Sequence, residues 1–300
     1  MSSSLLCCDG LEPSVDRIRK ALDLARAERT HAIGADSLGE DAVYEPARVV
    51  ESDGVQPSEA PRGGRSLVNI SYTRTQVFEP SAEILERNRI LSPGSPEPAA
   101  VAFRMLRTQV LQRLDSKGWR TLAIFSPSPN DGKTTTAINL AISLASDREH
   151  TVLLVDFDFK RPSIAARLGL SPEQGSDDAI AGTAHIEDCL YHPQGFDRLV
   201  VMPARSMLKN SSEILAGQRS RQIVNELRAR YPERIVVFDL PPVLAADDAL
   251  SFAPLVECGL VVAAEGHTSR RDLVRTMELL SKTALVGTVL NRAADTPAGY

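Results

Sequence analysis

The sequence predicts an α/β protein built on a doubly wound, mostly parallel β-sheet. From residue 118 onward, short apolar runs alternate with longer segments whose apolar residues recur at helical spacing. The short runs are continuously apolar, which is typical of strands covered by helices on both faces. The predicted strands span residues 121–125, 151–155, 198–202, 235–238, 259–263 and 285–290.

The predicted helices occupy the segments between these strands and the segment before the first one. The spacing of apolar residues places one helix upstream of the first strand and the others on the connections, as crossover links in a parallel sheet require. These helices span residues 99–114, 133–145, 212–230 and 269–282.

Composition excludes several classes of protein. The chain has 300 residues, a formal net charge of −5 and 5% aromatic residues, which does not fit a dedicated nucleic-acid binder. Its four cysteines form no CxxC pair, so no zinc site or dithiol motif is indicated. The sequence shows neither a secretory signal nor a run of about 20 apolar residues, and we expect a cytoplasmic protein.

The chain divides into three predicted regions. Residues 1–95 are poor in apolar residues and rich in turn formers, and they predict a partly disordered extension with a short helix at 15–29 and a flexible linker at 54–65. Residues 96–295 hold the α/β domain, and residues 296–300 form a tail.

A phosphate-binding loop is predicted between the first strand and its helix, in the sequence SPSPNDGKTTT. Backbone N–H groups of Asn130, Asp131, Gly132 and Thr135, and of the helix N-terminus, would surround the phosphates of a nucleotide. We expect Lys133 to contact the β- and γ-phosphates and the Thr134 hydroxyl to contact Mg²⁺.

This loop departs from the pattern GxxxxGK[ST] at its first position, where Pro127 stands instead of glycine. Asn130 is expected to supply the left-handed backbone that a glycine would otherwise give, because asparagine tolerates it well. The alternative is an ordinary strand–turn–helix with a chance GKT, but the strand, the loop and the helix all lie where phosphate binding needs them.

Acidic residues follow two predicted strands. Asp156 and Asp158 come after the strand at 151–155, and Asp239 ends the strand at 235–238. Ligands of such sheets lie at the carboxyl ends of strands, where these acids would hold Mg²⁺ and accept a proton. Solvated acids at a strand end are the alternative. Asn291, after the last strand, is a candidate for a hydrogen bond to adenine or for a turn.

These motifs resemble those of the bacterial tyrosine kinases of capsule and exopolysaccharide synthesis, P-loop proteins of the same broad class as MinD and ParA. The resemblance covers residues 99–292 and includes VLLVDFDFKRP, NSSEIL and IVVFDLPPVLAADDA. FRMLRTQVLQRL and FDLPP resemble the subgroup of autokinases encoded with exosortase systems.

The resemblance implies an ATP-dependent tyrosine autokinase that uses Mg²⁺. Lys133, Asp156 and Asp158 would be catalytic; Thr134, Asp156 and Asp239 would order the metal. Tyr300 would be the phosphoacceptor in the tail. An inner-membrane polysaccharide co-polymerase would activate the chain at the inner face of the membrane.

The family pattern ExxRxxR, which serves ring assembly, is incomplete here, because Val101 stands at the position of the glutamate before Arg104 and Arg107. The sequence therefore does not decide whether the chain forms a homo-oligomer. Two other functions remain open: an ATPase switch like MinD and ParA, and a non-catalytic regulator that binds nucleotide. The MinD class usually has a lysine at the position of Ser128.

Overall fold

The computed structural model describes residues 75–230 and 233–293, which form one eight-stranded β-sheet with helices on both faces. The predicted helix at 15–29, the linker at 54–65 and the tail at 296–300 lie outside the described residues. The strands are β1 (Gln76–Phe78), β2 (Thr121–Phe125), β3 (Thr151–Asp156), β4 (Tyr191–Pro193), β5 (Leu199–Met202), β6 (Arg234–Asp239), β7 (Cys258–Ala264) and β8 (Leu285–Asn291).

The strand order across the sheet is β1-β4-β5-β3-β6-β2-β7-β8. All neighbouring strands run parallel except β4 and β5, which are antiparallel. The predicted doubly wound, mostly parallel sheet is confirmed. This order places β2, β3 and β6 side by side at the centre, so that their carboxyl ends meet at one edge.

The helices of the described residues connect these strands. They are α1 (Ala82–Arg87), α2 (Pro98–Lys117), α3 (Lys133–Ala145), α4 (Ile164–Leu168), α5 (Ser176–Ala181), α6 (Ser211–Ala216), α7 (Gln218–Arg230), α8 (Asp248–Phe252) and α9 (Arg270–Leu279). None of them is both long and apolar enough to cross a membrane.

Alternation along the central strands builds a separate core on each face of the sheet. In β2, Leu122 and Ile124 face the core under α2 and α3, whereas Ala123 and Phe125 face the core under α7 and α8. Both faces of β2 are fully buried, which explains why it is apolar at four consecutive positions, 122–125.

The sheet also includes residues from the predicted extension. β1 pairs in parallel with β4, and Leu85 and Ile90 are buried in the core under α3. Residues 76–91 therefore correct the expectation that the folded domain starts at residue 96, and we propose a start near Gln76. β1 is hard to predict from local pattern, because it has only three residues and pairs with a strand more than 100 positions away.

The predicted helix at 212–230 is two helices. α6 ends before Gly217, whose backbone is extended (φ −71°, ψ 168°), and α7 starts at the next residue. Gly217 costs little to place outside a helix, because glycine is a poor helix former. The Ile214 carbonyl accepts from the Gly217 N–H at 3.0 Å and from the Ser220 hydroxyl at 2.7 Å, which closes the end of α6.

Candidate functional site

The loop between β2 and α3 has the backbone of a phosphate-binding loop. Asn130 has a φ of +66°, as its predicted left-handed conformation requires, and Gly132 has a φ of +90°. Gly132 is also the N-cap of α3, and no side chain caps that helix end. The first N–H groups of α3 therefore remain available to an anion, which the helix dipole also favours.

Gly132 is closely covered by the end of β8. A Cβ atom at this position would lie 1.8 Å from Nδ2 of Asn291, so that no larger residue fits without displacement. Asn291 Nδ2 donates to the Asp131 carbonyl at 2.9 Å, and Asn291 Oδ1 accepts from the Arg292 N–H at 2.9 Å. The amide thus supports the loop, and its predicted contact with adenine stays a prediction.

The buried Asp131 carboxylate ties the loop to the turn after β7. Its Oδ2 accepts from the Ser128 N–H at 2.7 Å. Its Oδ1 accepts from the Thr268 hydroxyl at 2.7 Å and lies 2.8 Å from Nδ1 of His267. Asp131 was predicted to bind ATP through its backbone. The structure adds that its side chain fixes the loop before any ligand binds.

Lys133 brings the predicted acids together. Its Nζ lies 2.8 Å from Oδ1 of Asp239 and 3.2 Å from Oδ2 of Asp158, and the lysine is only 6% exposed. Burial disfavours the ammonium, but attraction to Asp239 and Asp158 outweighs it, and the pKa of Lys133 is raised. The lysine is therefore held as a buried cation at the N-terminus of α3.

Asp156 and Asp239 are direct neighbours in the register of β3 and β6. Both are fully buried, and desolvation raises the pKa of each; the charge of Asp239 adds to the increase at Asp156. Lys133 and the Thr134 hydroxyl act in the opposite direction on Asp239. Two buried acids this close need a cation beside them, and the Lys133 ammonium supplies one charge.

The two acids of the DFD segment differ in their surroundings. Asp156 accepts three backbone hydrogen bonds, from Asp158, Ser163 and Ile164, at 3.0–3.1 Å, and it shapes the loop that follows β3. Asp158 lines the open cleft. Its Oδ1 accepts from the Arg161 N–H, and its Oδ2 accepts from the Lys133 ammonium. Asp158 thus faces the space where a ligand would bind, and Asp156 lies beneath it.

The cleft above these groups has a volume of about 680 Å³ and is lined by Gly132, Lys133, Thr134 and Thr135. The Thr134 hydroxyl lies 3.5 Å from both Nζ of Lys133 and the Ser163 hydroxyl, and Thr135 Oγ1 accepts from Arg167 at 3.0 Å. The volume is typical of a small-molecule site.

The residues fit a magnesium nucleotide. Oδ2 of Asp239 is buried and makes no hydrogen bond within the described residues, which leaves an anionic oxygen for a cation or its water. No group of three or more His, Cys, Asp or Glu side chains among residues 75–230 and 233–293 is placed to hold a metal. Mg²⁺ in nucleotide sites takes one or two protein carboxylates and completes its shell with phosphate oxygens and water.

Sequence reasoning missed part of the cleft. Arg87 and Arg89, at the end of α1, line its mouth together with Lys160, Arg161 and Arg292. Lys160 and Arg161 lie in the DFDFKRP segment and could have been assigned from it, but nothing in the sequence around residues 87–89 indicated the site. The proposed acceptor Tyr300 lies beyond the described residues.

Residues 120–281, more than half of the chain, match the model of the AAA domain family. Tyrosine-protein kinase YwqD of Bacillus subtilis is 25% identical over 209 residues, which cover 69% of this chain and 86% of YwqD. The crystal structure of the VpsO kinase domain is 30% identical, with a TM-score of 0.58, and the match covers 65% of this chain and 94% of that one.

Other relatives are longer. Tyrosine-protein kinase etk of Escherichia coli K12 and the succinoglycan biosynthesis transport protein ExoP of Rhizobium meliloti are each 29% identical; the matches cover 70% and 68% of this chain. The chain spans only 29% and 26% of their lengths. MinD of Pyrococcus horikoshii, solved with Mg-ADP, is 25% identical with a TM-score of 0.51, over 58% of this chain and 71% of that one.

These matches agree with the geometry of the loop, of Lys133 and of the acids at the ends of β3 and β6. The chain therefore belongs to the AAA domain family and, among P-loop proteins of the MinD-like fold, to the bacterial tyrosine kinase family.

Proposed function

We propose that the chain is an ATP-dependent protein tyrosine autokinase that regulates the synthesis and export of an exopolysaccharide or capsule. One observation carries the proposal: Lys133 joins the N-terminus of α3 to Asp158 and Asp239 within 3.2 Å. A cation and two acids converge where the loop leaves its N–H groups open, which is the arrangement that phosphoryl transfer needs.

Each residue has a proposed role in this reaction. The N–H groups after Gly132 bind the β- and γ-phosphates, and Lys133 places a positive charge on the same oxygens. The Thr134 hydroxyl and Asp239 hold Mg²⁺, which supplies further charge neutralisation on the phosphates. Asp158 faces the cleft and accepts the proton of the tyrosine hydroxyl.

Asp156 is the one predicted catalytic residue with a mainly structural position. Its oxygens are occupied by backbone N–H groups of the loop after β3. We propose that it orients Asp158 and contributes to the metal only through its charge. Asn291 holds the loop from the β8 side, and the adenine is expected near it, because Asn291 and Arg292 line the cleft.

The names of the relatives support a proposal for the biological setting. YwqD and etk are named tyrosine-protein kinases, and ExoP is named a transport protein of succinoglycan biosynthesis. We propose that this chain has a comparable role in the cytoplasm, at the inner face of the membrane, and that an inner-membrane co-polymerase protein activates it.

An ATPase switch is the second candidate, favoured by the fold shared with MinD. Ser128 occupies the position of that class's additional lysine, and its N–H is bound by Asp131 instead. Phosphate release without phosphotyrosine would favour this candidate over the kinase.

The test is incubation of the purified chain with [γ-³²P]ATP and Mg²⁺. We expect alkali-stable phosphotyrosine on the wild type and none on Lys133→Ala, whereas Lys282→Ala, which removes an exposed lysine of the same domain, should label normally. Equal labelling of wild type and Lys133→Ala would contradict the proposal.

Lys133→Ala leaves Asp239 and Asp158 without their cation, and loss of one partner of a buried ion pair is often destabilising. Far-UV circular dichroism should therefore accompany the assay. Asp158→Asn is a second variant that keeps Lys133 paired with Asp239, and we expect it to bind nucleotide but to form little phosphotyrosine.

A further inference from the structure

The mouth of the cleft is rich in positive charge. Four exposed arginines surround it: Arg87, Arg89, Arg161 and Arg292, which we call the basic rim. None of the four pairs with a carboxylate of the described residues. Among the described residues, Asp158 is the only acid that lines the cleft, and it shares the Lys133 ammonium with Asp239.

The nucleotide has its own partners deeper in the cleft. The open N–H groups of α3 would face the phosphates, and a bound Mg²⁺ would offset two of their negative charges. The basic rim lies on the surface around that site, in a protein whose formal net charge is −5. Arg292 donates one N–H to the Asn130 carbonyl at 2.6 Å. Arginines without a carboxylate partner among the described residues are suited to a second anionic ligand with several carboxylates or phosphates.

Arg89 is held in place by the nucleotide-binding helix. Its φ of +57° is unusual for a residue other than glycine or asparagine, and such strained backbone is concentrated at functional sites. Asn139 of α3 keeps it there, because its Nδ2 donates to the Arg89 carbonyl at 2.9 Å and its Oδ1 accepts from the Leu91 N–H at 2.8 Å. These two hydrogen bonds therefore fix the position of Arg89 relative to α3, the helix that follows the phosphate-binding loop.

The sequence contains an acidic tyrosine segment that would complement this rim. Residues 36–53 surround Tyr44 with six acidic residues and one arginine, a net charge of −5. This is as large as the formal net charge of the whole chain. Tyr44 precedes the first described residue by 31 positions, so the chain between them can reach up to about 100 Å.

The other four tyrosines are less suitable. Tyr191 is buried, and its hydroxyl already bonds the backbone of Glu173 and Gln174. Tyr72 and Tyr231 each lie within two residues of an arginine, and Tyr300 has a single acid in the preceding six positions.

We propose that the basic rim binds acidic tyrosine segments and that the acceptor of the autokinase is Tyr44, within residues 36–53 of the same or a second copy of the chain. This inference rests on the proposed function. In the transfer, the phenolic O–H bond breaks and the oxygen bonds to the γ-phosphorus of ATP. The bond from that phosphorus to the bridging oxygen of ADP breaks, and Asp158 takes the proton before releasing it to water.

The first experiment locates the phosphate by mass spectrometry after incubation with ATP and Mg²⁺. We expect most of the phosphotyrosine on Tyr44, at least a tenfold loss of total label in Tyr44→Phe, and little change in Tyr300→Phe. Mixing a tagged Lys133→Ala chain with untagged Tyr44→Phe chain distinguishes the two sources, because only transfer between copies labels the tagged chain.

The second experiment tests the rim with a random copolymer of glutamate and tyrosine as the acceptor. The combined variant Arg87→Gln, Arg89→Gln, Arg161→Gln should raise the KM for this copolymer at least tenfold while the KM for ATP changes less than threefold. The matched control removes three exposed arginines of α9, by Arg270→Gln, Arg271→Gln and Arg275→Gln, and should leave both KM values unchanged.

The outcomes separate this inference from the function on which it rests. Phosphotyrosine on Tyr300 or Tyr72 with an unchanged Tyr44→Phe variant would overturn the inference and leave the kinase intact. A rim variant that loses affinity for ATP instead of the copolymer would also overturn it. Absence of phosphotyrosine on any residue or on the copolymer would overturn both.

Discussion

Replacement of Gly132 by alanine tests the packing that fixes the phosphate-binding loop. The φ of +90° costs an L-residue about 1–2 kcal/mol. The new Cβ would also lie 1.8 Å from Asn291 Nδ2 and displace that amide from the Asp131 carbonyl, a hydrogen bond worth about 1 kcal/mol. We expect Gly132→Ala to lower the free energy of unfolding by roughly 2–3 kcal/mol.

A double-mutant cycle with Asn291→Ala separates the two causes. Asn291→Ala alone should cost about 1 kcal/mol, because it removes only the hydrogen bond. In the double variant the collision is gone and the hydrogen bond is lost only once. Its total cost should therefore stay near 2–3 kcal/mol, below the sum of the single changes by about 1 kcal/mol.

Urea unfolding, followed by the fluorescence of the single tryptophan, Trp119, and by circular dichroism, gives the four free energies. Gly132→Ala should in addition weaken nucleotide binding, since the loop must move. Single costs that add within about 0.5 kcal/mol in the double variant would refute the proposed contact between Gly132 and Asn291.

Two further predictions concern groups away from the cleft. Two nitrogens of the Arg205 side chain donate to the Asp178 carboxylate and lower its pKa in the folded protein. This pair therefore stabilises the fold above about pH 3.8, the pKa of an unperturbed aspartate, and the stabilisation is lost as the pH falls through the lower pKa of the folded state. Asp178→Asn should therefore lower the free energy of unfolding at pH 7 and progressively less below pH 3.8; a constant cost would contradict this. Burial raises the pKa of Cys189 and Cys258 to about 12. In a variant with Cys7 and Cys8 replaced by serine, a disulfide reagent at pH 8 should react with Cys189 and Cys258 only after the protein unfolds. Rapid reaction of these two thiols in the folded protein would show that they are not buried.

The central strands and α3 could be predicted from the sequence because local pattern determines them. The predicted α3 matches the structure at both ends, and β2 does too. The acids at the ends of β3 and β6 also lie where parallel-sheet geometry places them, next to Lys133. A continuous apolar run predicts the position of each strand, and the glycine before Lys133 predicts the start of α3. Neither prediction needs contacts with residues distant in the sequence.

The mouth of the cleft could not be predicted, because it depends on contacts between distant parts of the chain. Arg89 reaches the cleft only through the strained backbone that Asn139, 50 positions later, holds in place. Asp131 binds His267 and Thr268 more than 130 positions away, and no local pattern links them.

The acids at the start of α8 also depend on distant contacts. Asp247 stands at the N-cap of α8, but its side chain makes no capping hydrogen bond. Asp247 accepts from Ser212, and the buried Asp248 accepts from Ser211 and lies 3.5 Å from Nζ of Lys160. These two acids join α8 to the start of α6, which sequence spacing alone does not reveal.

Binding of ADP by isothermal titration calorimetry, with Mg²⁺ or with EDTA, tests the proposed site most directly. We predict that the wild type binds ADP at least tenfold more tightly with Mg²⁺ and that Asp239→Asn loses this gain while it remains folded. Failure of the wild type to bind ADP, or a full Mg²⁺ effect in Asp239→Asn, would contradict the assignment of Asp239 and Lys133 to a magnesium nucleotide site.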